Sequence, residues 1–528
     1  MARQQAAHEH RRISSHLTAP APGPAARGAT LEVDDPSTGT PIATVATHTA
    51  GDVGATAARL RAAQKGWEAG GVAARVSWVR RLRDWLLDHE DQLTTTLQQE
   101  TGKPRREAAF ELAVCVDLIN YYADHAEEFL ADEHPRPHGL LTAASQLTVS
   151  YRPRPLVGVI CPWNFPLIIA LVDAVPALIA GAAVLVKPSE FTPLATAAVA
   201  DGWREDLGAP DVLAVAIGAG EAGAAIVEEV DYVQFTGSTP TGRRIGARAA
   251  ERLIPCSLEL GGKDAMIVLA DADLDRAANA AAWGGLFNAG QACVSVERIY
   301  VEAPVHDAFV TRLTAAVARL RQGGPGDGAA FDVGAMANAA QRQIVERHVA
   351  DARERGARIA AGGQAPARPG WFYEPTILLD VDHEMLCMQE ETFGPLLPVM
   401  RVADADEAVR LANDSPYGLS ASVWTRDRAR GDALARRLDV GAVNVNDVFK
   451  NIFTFPVPQA GWKASGIGAR LGGAAGLRKY SRAQAITSAR VAPRAELAWY
   501  PYTAGRDHLL RRVLRLLGAR RGRRFRKA

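Results

Sequence analysis

A chain of 528 residues that is 48% hydrophobic and 23% charged has the composition of a globular protein with room for about three to four domains. No apolar run reaches the roughly 18 residues of a membrane span, and residues 1–27 lack the hydrophobic stretch of a secretory signal. The five cysteines (Cys115, Cys161, Cys256, Cys293 and Cys387) are odd in number and have no C-x-x-C spacing. That argues against a disulfide framework or a bound metal and for a cytoplasmic protein. The net charge of +1 hides an asymmetry. Arg506 to Lys527 holds ten Arg or Lys and one Asp, a local charge of +9, which leaves 1 − 9 = −8 on the rest. Nothing in the acidic body suggests nucleic-acid binding.

Residues 1–29, rich in Ala, Pro, His and Arg, read as a disordered tail. Residues 52–132 read as helices, with apolar residues at helical spacing in Trp78, Leu82, Trp85 and Leu86 and again in Phe110, Leu112, Val116 and Leu118. Gln146 to Arg152 alternates like an exposed strand. Then short apolar runs alternate with helical segments: Val157–Ile160, Ala183–Lys187, Val212–Ile217 and Tyr232–Phe235. Buried strands alternating with helices imply an α/β protein with a parallel sheet. A second alternating region from about Gly262 to Val445 implies a second α/β domain.

Several of these strand ends carry chemically suggestive residues. Cys293, in Asn288-Ala289-Gly290-Gln291-Ala292-Cys293, is flanked by small residues that leave a nucleophilic sulfur accessible. Taken alone, a cysteine is more often a small core residue. Glu259, before Gly261 and Gly262, sits where a partly desolvated carboxylate can activate water, though a surface glutamate beside a turn looks the same. Asn164, between Trp163 and Phe165, can offer an amide N–H to an oxyanion or simply make a turn. Lys187 and Glu190 close a strand where α/β proteins bind ribose. Phe235-Thr236-Gly237-Ser238 opens a helix whose N–H groups suit a pyrophosphate. Gly218-Ala219-Gly220-Glu221-Ala222-Gly223 matches G-x-G-x-x-G but lacks the acidic residue about 20 positions on, so it is not read as an ordinary phosphate loop.

Pro162-Trp163-Asn164-Phe165-Pro166, Lys187-Pro188-Ser189-Glu190, Phe235 to Ser238, Glu259-Leu260-Gly261-Gly262-Lys263, Gly290 to Cys293, Glu390 to Pro395 and Gly461 to Gly468 occur in this order. The set resembles the aldehyde dehydrogenase superfamily from about Glu32 to Ser488. The resemblance implies a Rossmann-type cofactor domain (30–136 and 153–261), an α/β catalytic domain (262–462), a small β oligomerisation flap (137–152 and 478–490) and a basic extension (491–528). It implies Cys293 as nucleophile, Asn164 and the Cys293 N–H at the oxyanion, Glu259 as the base for thioester hydrolysis, and Lys187 as a further catalytic-site residue. NAD, with NADP as the alternative, would lie against Ile160, Trp163, Lys187, Ser189, Glu190, Gly220, Phe235, Gly237, Ser238, Leu260, Glu391 and Phe393. It also implies a homodimer or homotetramer. Glu259 favours hydrolysis over acyl transfer to coenzyme A, and Glu190 would repel a 2′-phosphate and so favours NAD.

Departures from the pattern are Pro458-Gln459-Ala460-Gly461 near the substrate mouth and Asp264 where Asn or Ser is common. The second half and the basic tail are partly similar to an actinobacterial succinate-semialdehyde branch. A carboxylate substrate needs a cation, yet Phe287 and Val172 stand where related enzymes place arginines, and with Phe165 and Ile169 they suggest an apolar channel for an aliphatic or aromatic aldehyde. Leu509, Leu510, Val513, Leu516 and Leu517 recur at helical spacing among arginines, a pattern that suits peripheral contact with an anionic membrane or docking on a neighbouring subunit. A reading of another class, a non-catalytic NAD-binding or membrane-associated structural protein of this fold, stands beside the enzyme.

Overall fold

The computed structural model describes residues 29–138, 142–327, 330–496 and 499–518. Most of the expected N-terminal tail and the last ten residues lie outside that set. Four helices, Ala50–Ala69, Gly71–Asp88, Glu90–Thr101 and Arg105–Leu130, follow a short hairpin of Thr30–Asp35 with Thr40–Ala46. The first helix starts at Thr49, whose hydroxyl accepts from Asp52 N while Asp52 accepts from Thr49 N. It then buries Val53, Ala57, Leu60, Gln64 and Trp67 along one face.

These helices cover a six-stranded sheet. From edge to edge it runs Gly466–Ile467, Cys256–Glu259, Tyr232–Thr236, Leu156–Ile160, Ala183–Lys187 and Leu213–Val215. The last five are parallel and Gly466–Ile467 is antiparallel. The expected strand over Val212–Ile217 is shorter, because only Leu213 to Val215 pair with Ala183–Lys187. Chain order reverses between Leu156–Ile160 and Tyr232–Thr236, and ligands bind α/β sheets at the strand C-termini of such a switch point. Helix Gly220–Glu229 packs close on this sheet: a Cβ on Gly158 would lie 2.8 Å from Ile226.

The second sheet has seven strands in the order Arg358–Ala361, Thr376–Leu379, Leu396–Val402, Arg298–Glu302, Ala265–Val268, Ser420–Trp424 and Ala442–Val445. All but the first pairing are parallel. Each sheet has its own apolar core, and Phe110, Phe165 and Phe453 pack against both. A separate ribbon pairs Ser145–Pro153 with Ser481–Ala489 in antiparallel register. Helix Ala504–Gly518 follows, with Leu509, Leu514 and Leu516 exposed, as are Trp499, Tyr500 and Tyr502 just before it.

Candidate active site

The Cys293 loop is built on an unusual turn. After helix Leu274–Leu286, the three consecutive residues Asn288, Ala289 and Gly290 all have positive φ (53°, 54° and 74°). Each non-glycine residue there costs about 1–2 kcal/mol, so the turn must be held. Asn288 N donates to Glu107 Oε2 (2.9 Å), and Asn288 Nδ2 donates to Asn164 O (2.9 Å) and Gln291 O (3.1 Å). Gln291 Nε2 donates to Asn288 O (3.0 Å), and its Oε1 accepts from Ala337 N (2.9 Å). Five such bonds, at about 0.5–1.5 kcal/mol each, outweigh the strain. The turn also fits only glycine at 290: a Cβ there would lie 2.1 Å from Gly394 O.

Cys293 emerges half-buried from this loop. Burial pushes its thiol up to about 12, with Arg470 pulling the other way and Glu259 adding to the rise. Asn164 reaches the same loop through Nδ2, which donates to Gln291 O at 3.0 Å. One of its two amide N–H groups is therefore engaged and the other is left for a ligand.

Glu259 ends its strand with a buried carboxyl whose Oε1 has no hydrogen-bond partner. Burial pushes it up to about 7, while Arg470 and Lys479 pull it down. A buried carboxyl that titrates near neutrality, with a free oxygen, suits proton transfer. Its backbone oxygen accepts from Gly237 N (3.1 Å), which ties it to the neighbouring strand end.

The remaining candidates gather at the switch point. Ser238 precedes helix Thr239–Glu251 without capping it, so the first-turn N–H groups face the crevice. A Cβ on Gly237 would lie 2.6 Å from the Phe235 ring, so the backbone hugs that side chain. Lys187 Nζ donates to Pro188 O (2.9 Å) and Glu190 Oε2 (3.3 Å). Lys187, expected both beside the ribose and among the catalytic residues, thus stands with Glu190 at the end of strand Ala183–Lys187. Ile160, Ser189 and Leu260 are buried around it, and Gly220 opens its helix with no atom within 4 Å of where a Cβ would stand. The edge of Trp163 meets Phe393 at 5.3 Å. Glu391 Oε1 accepts from Gly262 N (3.1 Å), and burial pushes that carboxyl up to about 8. A free helix N-terminus, a Lys–Glu pair for ribose and an aromatic wall fit a dinucleotide.

Aromatic rings gather around Phe287, which opens the turn that precedes Cys293. Phe165 stacks on Phe287 at 5.7 Å, and Phe287 also meets Phe110, Trp283 and Phe449 at 5.9, 5.3 and 5.7 Å. Two cavities of about 550 and 360 Å³ share Phe110 and Trp283 in their walls, and Phe453 lines the smaller. Ile169 and Val172 are buried further along helix Pro166–Ala180, in the core of the cofactor sheet. Lys103, with its ammonium 4.3 Å from the Phe165 ring, is already paired with Glu111 (2.5 Å) and donates to Asn164 O (2.8 Å).

Sequence reasoning missed the groups that hold the site together. Lys263 Nζ pairs with Glu297 Oε2 (2.6 Å), and Glu297 accepts from Thr392 N (2.7 Å) and Phe393 N (2.8 Å), fixing the segment that carries Glu391 and Phe393. Asp173 pairs with Arg470 at 2.7 Å, both buried. Asp173 carried a signal: it is the lone charge in the apolar stretch Pro166 to Ala180, and such a charge must find a partner.

A model of the aldehyde dehydrogenase family matches residues 24–486. A protein of Mycobacterium ulcerans (strain Agy99), named as a succinate-semialdehyde dehydrogenase using NADP(+), is 43% identical over 88% of this chain and 89% of its own. A 4,4′-diapolycopene aldehyde oxidase of a Methylomonas species is 41% identical over 83% of this chain and 82% of its own. Among solved structures, a Mycobacterium tuberculosis aldehyde dehydrogenase in complex with NAD+ superposes with a TM-score of 0.83 at 34% identity, covering 88% of this chain and 95% of that one.

Proposed function

The chain belongs to the aldehyde dehydrogenase family and oxidises an aldehyde to its acid with NAD(P), and from that premise we propose how its own residues do so. Cys293 Sγ attacks the aldehyde carbon, and the free N–H of Asn164 with the Cys293 backbone N–H receives the oxyanion. When bound, NAD(P) would supply the acceptor for the hydride of that carbon, and Cys293 would then carry the acyl group as a thioester. Glu259 then takes a proton from a water that attacks the thioester, releasing the carboxylic acid and the thiol. Lys187, Glu190 and the open end of helix Thr239–Glu251 hold the adenosine side of the dinucleotide, while Glu391, Phe393 and Trp163 hold its nicotinamide side.

The substrate is an apolar aliphatic or aromatic aldehyde. The observation that carries this is the cluster of Phe110, Phe165, Trp283, Phe287 and Phe449 gathered on the turn that precedes Cys293, where the buried cation against the Phe165 ring, Lys103, is neutralised by Glu111. The diapolycopene relative acts on an aldehyde of this kind by its name, whereas the mycobacterial relative's name favours succinate semialdehyde. NADH formation at 340 nm with hexanal, decanal, benzaldehyde and succinate semialdehyde decides between them. Preference for the first three, abolished by Cys293→Ala, supports the apolar reading; preference for succinate semialdehyde overturns it and keeps the mechanism.

The working protein is a cytoplasmic homodimer or homotetramer. In the ribbon of Ser145–Pro153 with Ser481–Ala489, Glu133 bridges to Val149 on one edge, and among the described residues the Ser481–Ala489 edge has no strand beside it, which suits a second copy. The basic tail supplies peripheral contact with an anionic membrane, through exposed Trp499, Leu514 and Leu516 beside Arg511, Arg512 and Arg515. Co-sedimentation with phosphatidylglycerol vesicles, lost on truncation before Arg506, supports that contact. No binding by the full chain refutes it.

A further inference from the structure

Glu259 does not stand alone in the core. Thr236 is its register partner on the adjacent parallel strand, so the two side chains project from the same face about 4.8 Å apart. Arg470 donates to the Thr236 hydroxyl, which places its guanidinium beside the Glu259 carboxyl. The other side of the guanidinium forks onto Asp173, with Nη2 to Oδ2 at 2.7 Å and Nε to Oδ1 at 3.3 Å. Asp173 also accepts from Tyr480 OH (2.9 Å), and Lys479 Nζ lies 3.6 Å away while donating to Gln234 Oε1 (2.9 Å). One buried cation, Arg470, and one largely buried, Lys479, therefore face one buried aspartate. An ionised Glu259 brings this cluster to neutrality, and a protonated Glu259 leaves it one positive charge in excess.

We propose that Arg470 is a positioning residue for the reaction, a fixed cation that keeps Glu259 available as a base and eases proton loss from Cys293, with Asp173 setting how much of its charge the site feels. This rests on the reading of Glu259 as the hydrolytic base. Arg470 suits the role because a guanidinium stays protonated under every working condition, whereas burial lowers the Lys479 ammonium. The charged and titratable groups facing Glu259 are Arg470, Lys479, Asp173 and Cys293, and the effects of Arg470 on Glu259 and Cys293 have the same sign. Among the described residues the Arg470 guanidinium bonds Asp173 and Thr236 and neither Glu259 nor Cys293, so its charge reaches those two across space.

The two variants predict opposite shifts. In Arg470→Gln, the acid limb of kcat against pH moves up, and each unit of movement lowers turnover on the acid side about tenfold. In Asp173→Asn, the same limb moves down. Alkylation of Cys293 by iodoacetamide at fixed pH, read against Cys293→Ala and needing no aldehyde or NAD, slows in Arg470→Gln and quickens in Asp173→Asn. Limbs that coincide with that of the unaltered enzyme, or that move the same way in both variants, overturn the proposal. If Arg470→Gln does not fold by circular dichroism, the limb and alkylation rate of Asp173→Asn decide alone. Glu259→Gln separates the two ideas: if it keeps both turnover and the limb, the base reading fails; if it loses turnover while Arg470→Gln and Asp173→Asn leave the limb unmoved, the base reading stands and this inference fails.

Discussion

Lys263→Met removes an ammonium that is fully buried and makes two bonds, to Glu297 Oε2 at 2.6 Å and Thr392 Oγ1 at 3.0 Å. It leaves the Glu297 carboxylate, 5% exposed at its side chain, with two backbone N–H donors and no counter-ion. Breaking one side of a buried pair costs about 3–5 kcal/mol, because the orphaned charge stays desolvated. In a domain of roughly 200 residues that lowers the melting temperature by roughly 6–20 °C. The loss is also local: Glu297 fixes Thr392 N and Phe393 N, and Phe393 sits at a positive φ of 50°, so the segment carrying Glu391 and Phe393 loosens and the KM for NAD rises. Adding Glu297→Gln removes the stranded charge and should recover about 1–3 kcal/mol of the loss. Thermal melts by circular dichroism with and without NAD, on both singles and the double, measure this. A fall of less than 2 °C in Lys263→Met (about 1 kcal/mol or less) would show that the pair contributes little and that the segment is held by something else.

Two further changes test the crevice. In Gly261→Ala the new Cβ would lie 2.3 Å from Glu391 Oε2 and must push that carboxyl off Gly262 N, so the KM for NAD should rise about tenfold with little change in stability, and a value within twofold of the unaltered enzyme refutes the role given to Glu391. In Glu190→Gln a charge beside the proposed adenosine-ribose site is lost; because Glu190 is 34% exposed at its side chain, screening keeps the gain for a 2′-phosphate to about tenfold in the KM for NADP, and an unchanged ratio of NADP to NAD would show that Glu190 does not discriminate between them.

The sequence alone determined the α/β class, the parallel sheet and the candidates whose type advertises chemistry. Buried parallel strands must be continuously apolar, so Leu156–Ile160, Ala183–Lys187 and Tyr232–Thr236 were legible with nearly correct ends. Cys293, Asn164 and Glu259 stood out as candidates only through the ordered set of motifs that carry them, since each alone has an ordinary structural reading. The short pairing at Leu213–Val215 was not, because the length of an edge strand depends on how far its neighbour extends. The extent of the aromatic cluster was not either: Trp283 meets Phe287 from the helix just before it, but Phe110 and Phe449 come from distant segments and reach Phe287 only in the folded chain. The charge partners were decided by tertiary structure alone. Asp173 and Arg470 are 297 residues apart, and Lys263 and Glu297 are 34 apart. A buried charge announces in sequence that it needs a partner, but a Coulomb interaction depends on distance in space, and only the folded chain sets that distance.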